Sequence, residues 1–352
     1  MTTSNNRTYS HDMRTIAVIG VFVISTGFFF AGTPAHSQTF TLKNTAFTLS
    51  TEAKFGAMYG EGEEIVYGAP SGAKYLSQLL WDMKPLWYAG SGLSLRITNP
   101  ASWVGLFTGL SVKFGIPGRT GSIIDRDWKD YDNQYLTNFS IHDNDTQKAI
   151  FIDYDIGLSI PIRFKRAYTM NLNLFGRFSW MELAWYSRDG YKQYGTLISS
   201  SPERWTPWDP SIPKTPLSGP AISYSQVWLI VSPGLALDFP VLDWFSIGVS
   251  CTASPLIYAA AEDHHMSPAN NVQFNDYPQG GLLLEPHLEF VFSPRKWLDL
   301  SLYASYRHIS GAKGDSYKNN SPIKSADSIG AGYHALDAGL SFQMNFQRRK
   351  QL

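Results

Sequence analysis

Two-residue alternation governs this chain. Val104, Leu106, Leu110, Val112 and Phe114 share one face of an extended segment, with Gly105, Gly109, Ser111 and Lys113 on the other. Ile152, Tyr154, Ile156, Leu158, Ile160 and Ile162 alternate with Asp153, Asp155, Gly157, Ser159 and Arg163, and Leu284, Leu288, Phe290 and Phe292 with Glu285, His287 and Glu289. Leu336, Ala338, Leu340, Phe342, Met344 and Phe346 alternate with Asp337, Gly339, Ser341, Gln343 and Asn345. Beyond residue 37 no segment reaches the roughly 18 apolar residues of a spanning helix. The chain therefore reads as all-β.

Alternation alone does not say which face is buried. A soluble sandwich turns its apolar face inward, whereas a barrel in lipid turns it outward. Three features favour the barrel. The polar faces combine small residues with charges of both signs (Asp153, Asp155, Arg163, Arg177, Glu285, Asp299, Arg307, Asp337), a set that can pair within a narrow lumen. Trp87, Tyr88, Trp103, Trp244 and Trp297 sit near strand ends, as interfacial aromatics do. Short links near Asn99-Pro100, Lys165-Arg166-Ala167, Val241-Leu242-Asp243 and Ser293-Pro294-Arg295-Lys296 alternate with long polar ones, the pattern of periplasmic turns and external loops.

Ten antiparallel strands are expected, roughly 42–66, 75–97, 102–124, 147–165, 168–190, 222–240, 244–261, 280–293, 297–311 and 328–346. An even number leaves both termini on the periplasmic side. Loops near 67–74, 125–146, 191–221, 262–279 and 312–327 then face outward. Several strands exceed the ~9–11 residues needed to cross, so they project beyond the membrane and carry a rim. The prolines of 199–220 argue against strand there and predict a long outer loop.

Composition narrows the partners. Charged residues make up 16% and aromatics 14%, as in a barrel with aromatic girdles. Ile16 to Ala31 is an apolar run preceded by Arg14 and followed by Pro34-Ala35-His36-Ser37, which reads as a signal peptide over residues 1–37, starting at Met1 or Met13. The rest carries 27 bases and 28 acids, giving no basic excess for nucleic acid. The single cysteine, Cys251, rules out an internal disulfide. The barrel is expected over 38–346, followed by a short basic tail, 347–352.

Two polar clusters carry chemistry. Asp125-Arg126-Asp127 lies where the third strand enters its loop, and Asp263-His264-His265 lies where the seventh does. On extended backbone, the i and i+2 side chains of each share a side. Two adjacent carboxylates resist double ionisation, so one can hold a proton. An Asp bonded to one imidazole nitrogen frees the other to act on water. The plainer readings are a solvated acidic loop at Asp125-Asp127, or a Ca²⁺ loop whose EF-hand spacing and glycine are missing. At Asp263-His265 the plainer reading is a polar loop with a satisfied histidine. A zinc site is disfavoured because adjacent histidines on a strand point apart.

In this arrangement the chain resembles the omptin family of outer-membrane proteases. The match runs in order through Glu64-Ile65-Val66-Tyr67, Ser77-Gln78-Leu79-Leu80-Trp81, Ile124-Asp125-Arg126-Asp127-Trp128, Asp263-His264-His265 with Pro268, and Gly330-Ala331-Gly332 to Phe346; His142 to Thr146 adds a further segment. The resemblance implies a ten-stranded barrel with its active site at the extracellular rim, polypeptide substrates, no cofactor and no metal, and a monomer is expected. It makes Asp125, Asp127, Asp263 and His265 catalytic, and Glu64 the acid of a pocket for a basic side chain. The family's second pocket acid falls at Ala261, with Glu262 adjacent as the candidate replacement. An arginine of the family's lipopolysaccharide cluster falls at Glu182, so lipopolysaccharide dependence is not implied. The alternatives are an inactive barrel that acts as an adhesin, a porin, and a soluble sandwich.

Overall fold

The computed structural model describes residues 45–68, 74–99, 102–164, 168–267, 270–319, 321–322 and 327–349; the expected signal peptide lies outside them. Among these residues ten strands close into one antiparallel ring. They are β1 (Ala46–Tyr67), β2 (Tyr75–Thr98), β3 (Gly105–Gly115 and Gly118–Asp127), β4 (Asn138–Phe164) and β5 (Tyr168–Tyr194). The ring continues with β6 (Thr215–Leu242), β7 (Phe245–Ser254 and Ile257–Ser267), β8 (Asn270–Gln279 and Leu282–Arg295), β9 (Leu298–Lys318) and β10 (Ile329–Arg349). β10 returns to β1 in unbroken register from Ala46↔Arg349 to Val66↔Ile329. No helix among the described residues is long and apolar enough to cross a membrane.

The strands reach further outward than their alternation suggests. β4 begins at Asn138 rather than near 147, β8 at Asn270 rather than near 280, and β9 runs on to Lys318. The loop expected over 262–279 is almost wholly strand, because polar residues occupy both faces of the rim and erase the signal there. Pro216 and Pro220 lie within β6, opposite Tyr191 and Arg188, where register shifts absorb the missing donors. β10 also passes the expected end at Phe346 and pairs through Arg349.

Large apolar side chains ring the outside, among them Leu93, Leu110, Phe114, Leu235, Leu302, Leu340 and Phe346. Trp103, Trp244 and Trp297 project at the short-turn end, as an interfacial girdle does. Tyr88 departs from that expectation. Alternation sends Trp87 outward and Tyr88 into the lumen, where its hydroxyl meets Tyr303 and Asp337.

The rim and the belt are joined by a level of irregularities. β3 breaks at Pro117, which donates no N–H, β7 at Pro255-Leu256, and β8 at Gly280-Gly281. Gly281 has φ +84°, and a Cβ there would stand 2.3 Å from the Ser310 carbonyl oxygen. β1, β4 and β9 carry register shifts at the same height. Such bulges bend strands and increase twist, so the rim can take its own curvature.

Charges in the lumen are paired. Arg307 Nη2 lies 3.0 Å from both Asp153 and Glu285, and Arg177 Nε 2.8 Å from Asp155. Lys113 pairs with Asp337, whereas Arg163 is exposed at the short-turn end. Arg307 sits between half-buried Asp153 and buried Glu285, and among the described residues removing it leaves Glu285 only Arg177 at 3.6 Å and Asp153 the Ser179 hydroxyl. Arg307→Leu is expected to destabilise the barrel by about 3–5 kcal/mol, read as an earlier thermal transition in detergent. Adding Asp153→Asn should recover part of the loss.

Candidate active site

The outer segment of β3 carries Asp125 opposite Leu79 of β2 and Ser140 of β4, and Asp127 opposite Ser77 and Asn138. Asp125 and Asp127 face inward. Arg126 between them turns outward, where its guanidinium reaches Gln78 at 3.3 Å. Ser140 Oγ lies 3.2 Å from Asp125 Oδ2 and 3.1 Å from His142 Nε2. His142 Nδ1 lies 2.7 Å from the Asp189 carbonyl, which takes its proton and leaves Nε2 as an acceptor. Burial holds the His142 pKa down, so this ring stays neutral. Lys129 Nζ lies 3.0 Å from Asp127 Oδ2.

Burial and the neighbouring Asp127 charge push Asp125 up to about 7, with Lys129, His265 and the Ser140 hydrogen bond offsetting only part of this. The pair therefore retains a proton near neutrality.

Across the groove, Asp263 and His265 lie on β7, opposite Tyr224 and Ile222 of β6 and opposite Phe274 and Val272 of β8. Both were expected at a strand-loop junction; both lie inside a strand. His265 Nε2 stands 2.8 Å from Asp263 Oδ2, leaving Nδ1 for another partner, and Phe274 packs edge-on against the ring at 6.0 Å. Burial lowers the imidazole pKa, but the Asp263 hydrogen bond and the charges of Asp263, Asp125 and Asp127 raise it further, for a net upward shift. The two clusters thus face one another closely enough for each to act on the other's charge. His264 turns away and meets Asn271 at 2.8 Å on the exposed side.

Glu64 of β1 stands opposite Leu79 and Ala331, buried with only 2% exposed, and its Oε2 has no hydrogen-bond partner among the described residues. Burial, then the charges of Asp263, Asp276 and Asp125, push its pKa well above the carboxylate range. Glu262 does not replace Ala261. It points outward, exposed, in a shallow groove with Tyr186, Ser223 and Ser225, because it is one residue out of phase with Asp263.

Beneath the clusters lies an aromatic floor. Trp81 of β2 stacks on Tyr224 of β6 at 5.3 Å and on Trp185 of β5 at 6.0 Å. The link after β5 is ordered: a hairpin of Leu197–Ser200 with Glu203–Trp205 docks on residues 128–137, with Trp205 N–H donating to Asp130 Oδ1 (2.9 Å) and Trp208 N–H to the Leu136 carbonyl (2.7 Å).

Ser140, Lys129 and Asp276 were not singled out from sequence. Ser140 and His142 show the same i, i+2 polar spacing as the two clusters, a signal that was available. Among the described residues no group of three or more His, Cys, Asp or Glu side chains is arranged to hold a metal.

A closed ten-stranded ring with an outward apolar belt, paired lumen charges and a polar outer groove defines an outer-membrane β-barrel. The family model described as the Omptin family matches residues 45–345, and the chain belongs to that family. Among solved structures, the outer membrane protease OmpT from Escherichia coli is similar at a TM-score of 0.70 and 16% identity, covering 85% of this chain and 97% of that one. The toluene transporter TodX of P. putida and the attachment invasion locus protein Ail of Yersinia pestis align far less well. Their TM-scores are 0.27 and 0.22, at 8% and 9% identity, covering 86% and 85% of this chain and 90% and 99% of theirs. No curated protein matches by sequence.

The raised carboxyls make the rim pH-sensitive in a defined direction. Asp125 binds its proton more tightly folded than unfolded, so its contribution is complete below about 4 and lost as pH rises through about 7. His265, also raised, acts in the same direction. Protection of rim amides, taken relative to their intrinsic base-catalysed exchange at each pH, should therefore fall between about pH 5 and 8, and Asp125→Asn should reduce that fall.

Proposed function

We propose that this protein is an outer-membrane endopeptidase whose active site faces the cell exterior, acting on polypeptides beside a basic residue. The observation that carries this reading is the pairing of two unlike proton-handling units across one groove: the Asp125/Asp127 pair, which retains a proton near neutrality, and the Asp263–His265 dyad with one ring nitrogen free.

A water between the units gives its proton to His265 Nδ1 as its oxygen attacks the scissile carbonyl. Asp263 stabilises the imidazolium so formed. The protonated carboxyl of the aspartate pair donates to the developing oxyanion. Collapse of the tetrahedral intermediate breaks the C–N bond, and the imidazolium passes its proton to the leaving amine. No acyl-enzyme is needed. The Ser140 hydroxyl is engaged with Asp125 and His142, and Cys251 is exposed on the outer face of β7.

A barrel that binds without cleaving is the second reading. Lys129 on Asp127 favours it, because that ion pair occupies one of the two carboxylates.

Peptide cleavage separates the two readings. Refolded protein in detergent should cleave fluorogenic peptides, with and without lipopolysaccharide. His265→Ala and Asp127→Ala should each reduce the rate by about 10²–10⁴-fold while the heat-dependent gel shift of the folded barrel persists. Unchanged rates in both variants would sink the reading. Asp263→Asn should move the acid limb of kcat/KM to lower pH, because a charge that raises the His265 pKa is gone.

A further inference from the structure

We infer that Asp276, on the strand next to the dyad, supplies the second carboxylate of the pocket for the substrate's cationic side chain, in the place left open by Ala261. The inference rests on the endopeptidase reading and names the residue that sets its specificity.

Ala261 and Asp276 are direct register partners on β7 and β8. Directly opposed residues of an antiparallel pair place their Cβ atoms ~4.5–5.5 Å apart on one face. Both face inward, Ala261 at 7% and Asp276 at 1% exposure. A carboxylate on β8 can thus enter the space over Ala261 that a longer side chain at 261 would fill. Ala261 also lies two residues from Asp263, so this space adjoins the dyad on the same face.

The remaining walls complete a cation site. Glu64 is buried on β1, and the charges of Asp263 and Asp276 act on it after burial itself. The Tyr224 phenol stands among the three acids, its own pKa raised by burial and by Glu64, Asp276 and Asp263. The Tyr224 ring stacks on both Trp81 and Trp185, so the acids stand against an aromatic wall.

Three acids this deep favour a cation, and His265 serves only Asp263 among them. Glu64 Oε2, Asp263 Oδ1 and both Asp276 oxygens are buried without hydrogen-bond partners among the described residues. The Ser316 hydroxyl opposite Asp276 lowers its pKa only in part and meets neither oxygen in hydrogen-bond geometry, and burial leaves Asp276 at about 7. Buried acids without partners cost free energy, whether charged or held neutral. A lysine or arginine side chain would satisfy them together, and arginine's five donors can serve more than one carboxylate.

The experiment measures kcat and KM on matched peptides that carry Arg, Lys or norleucine before the cleaved bond. The proteins are wild type, Asp276→Ser, Ala261→Asp/Asp276→Ser and Glu262→Gln. Asp276→Ser should lower the Arg-over-norleucine ratio by about thirtyfold or more, mainly through KM. Returning the acid to position 261 in the double variant should recover most of that ratio, and Glu262→Gln should leave it unchanged. An unchanged ratio in Asp276→Ser, or a fall in Glu262→Gln, overturns the assignment.

A parallel arm keeps this distinct from the protease reading. Binding of the Arg peptide to His265→Ala and to His265→Ala/Asp276→Ser is followed by indole fluorescence. If the wild type cleaves nothing but His265→Ala binds the Arg peptide and loses it with Asp276→Ser, the pocket stands and the protease falls. Equal binding by both overturns the pocket.

Discussion

Closure of the backbone hydrogen-bond ring is the constraint on which the rest of this protein depends. Lipid offers no partner to a peptide group, so each unpaired N–H or C=O in the hydrocarbon costs several kcal/mol. β1 and β10 meet this requirement along their shared length, and among the described residues no barrel strand presents an open edge to lipid. Because the strands overshoot the bilayer, the same pairing continues into the rim. The rim is therefore a hydrogen-bonded strand scaffold despite its register shifts, and side chains on it are placed by cross-strand pairing as on a core strand. A site built on loops would gain no such rigidity from the membrane.

The alternation that keeps lipid and lumen apart also sorts the candidate site residues from their neighbours. Asp125, Asp127, Asp263 and His265 face the groove, whereas Arg126, Glu262 and His264 face away, by a phase shift of a single residue. The same rule places Trp87 in the belt and Tyr88 in the lumen. Residue type is a weaker guide here than phase. Glu262 has the right chemistry at the wrong phase, and Asp276 has the right chemistry and phase on a different strand.

This explains what could be read from sequence and what could not. Within the membrane one face must be apolar, so period two is plain, and the ten strands and their short turns follow from it. Above the membrane neither face must be apolar. His264 and His265 are both polar, as are Asn275 and Asp276, and the periodic signal fades where the site begins. Strand ends were accordingly placed too low on β4, β8 and β9, and Asp276 fell in an expected loop. Its role becomes visible only through the cross-strand register with Ala261, a relation between residues fifteen positions apart in the chain that needs the turn between β7 and β8 to be known.

The electrostatics of the groove follow from the same crowding. Asp125, Asp127, Asp263, Asp276 and Glu64 project into one space that holds Lys129 and His265 as its cations. Like charges at this density would ordinarily be relieved by side chains swinging into water, but strands locked in register keep them inward. The cost of burial first, and then of the repulsion, is relieved by proton uptake instead, which raises Asp125, Glu64 and Asp276 together. The groove therefore holds protons for the chemistry at one end and an unmet demand for positive charge at the other. A peptide that brings a cation into the second relieves the field on the first. On the proposed reading, a cationic side chain at Glu64 and Asp276 should thereby lower the proton affinity of the Asp125/Asp127 pair and His265, coupling recognition to the protonation state in which the water attacks.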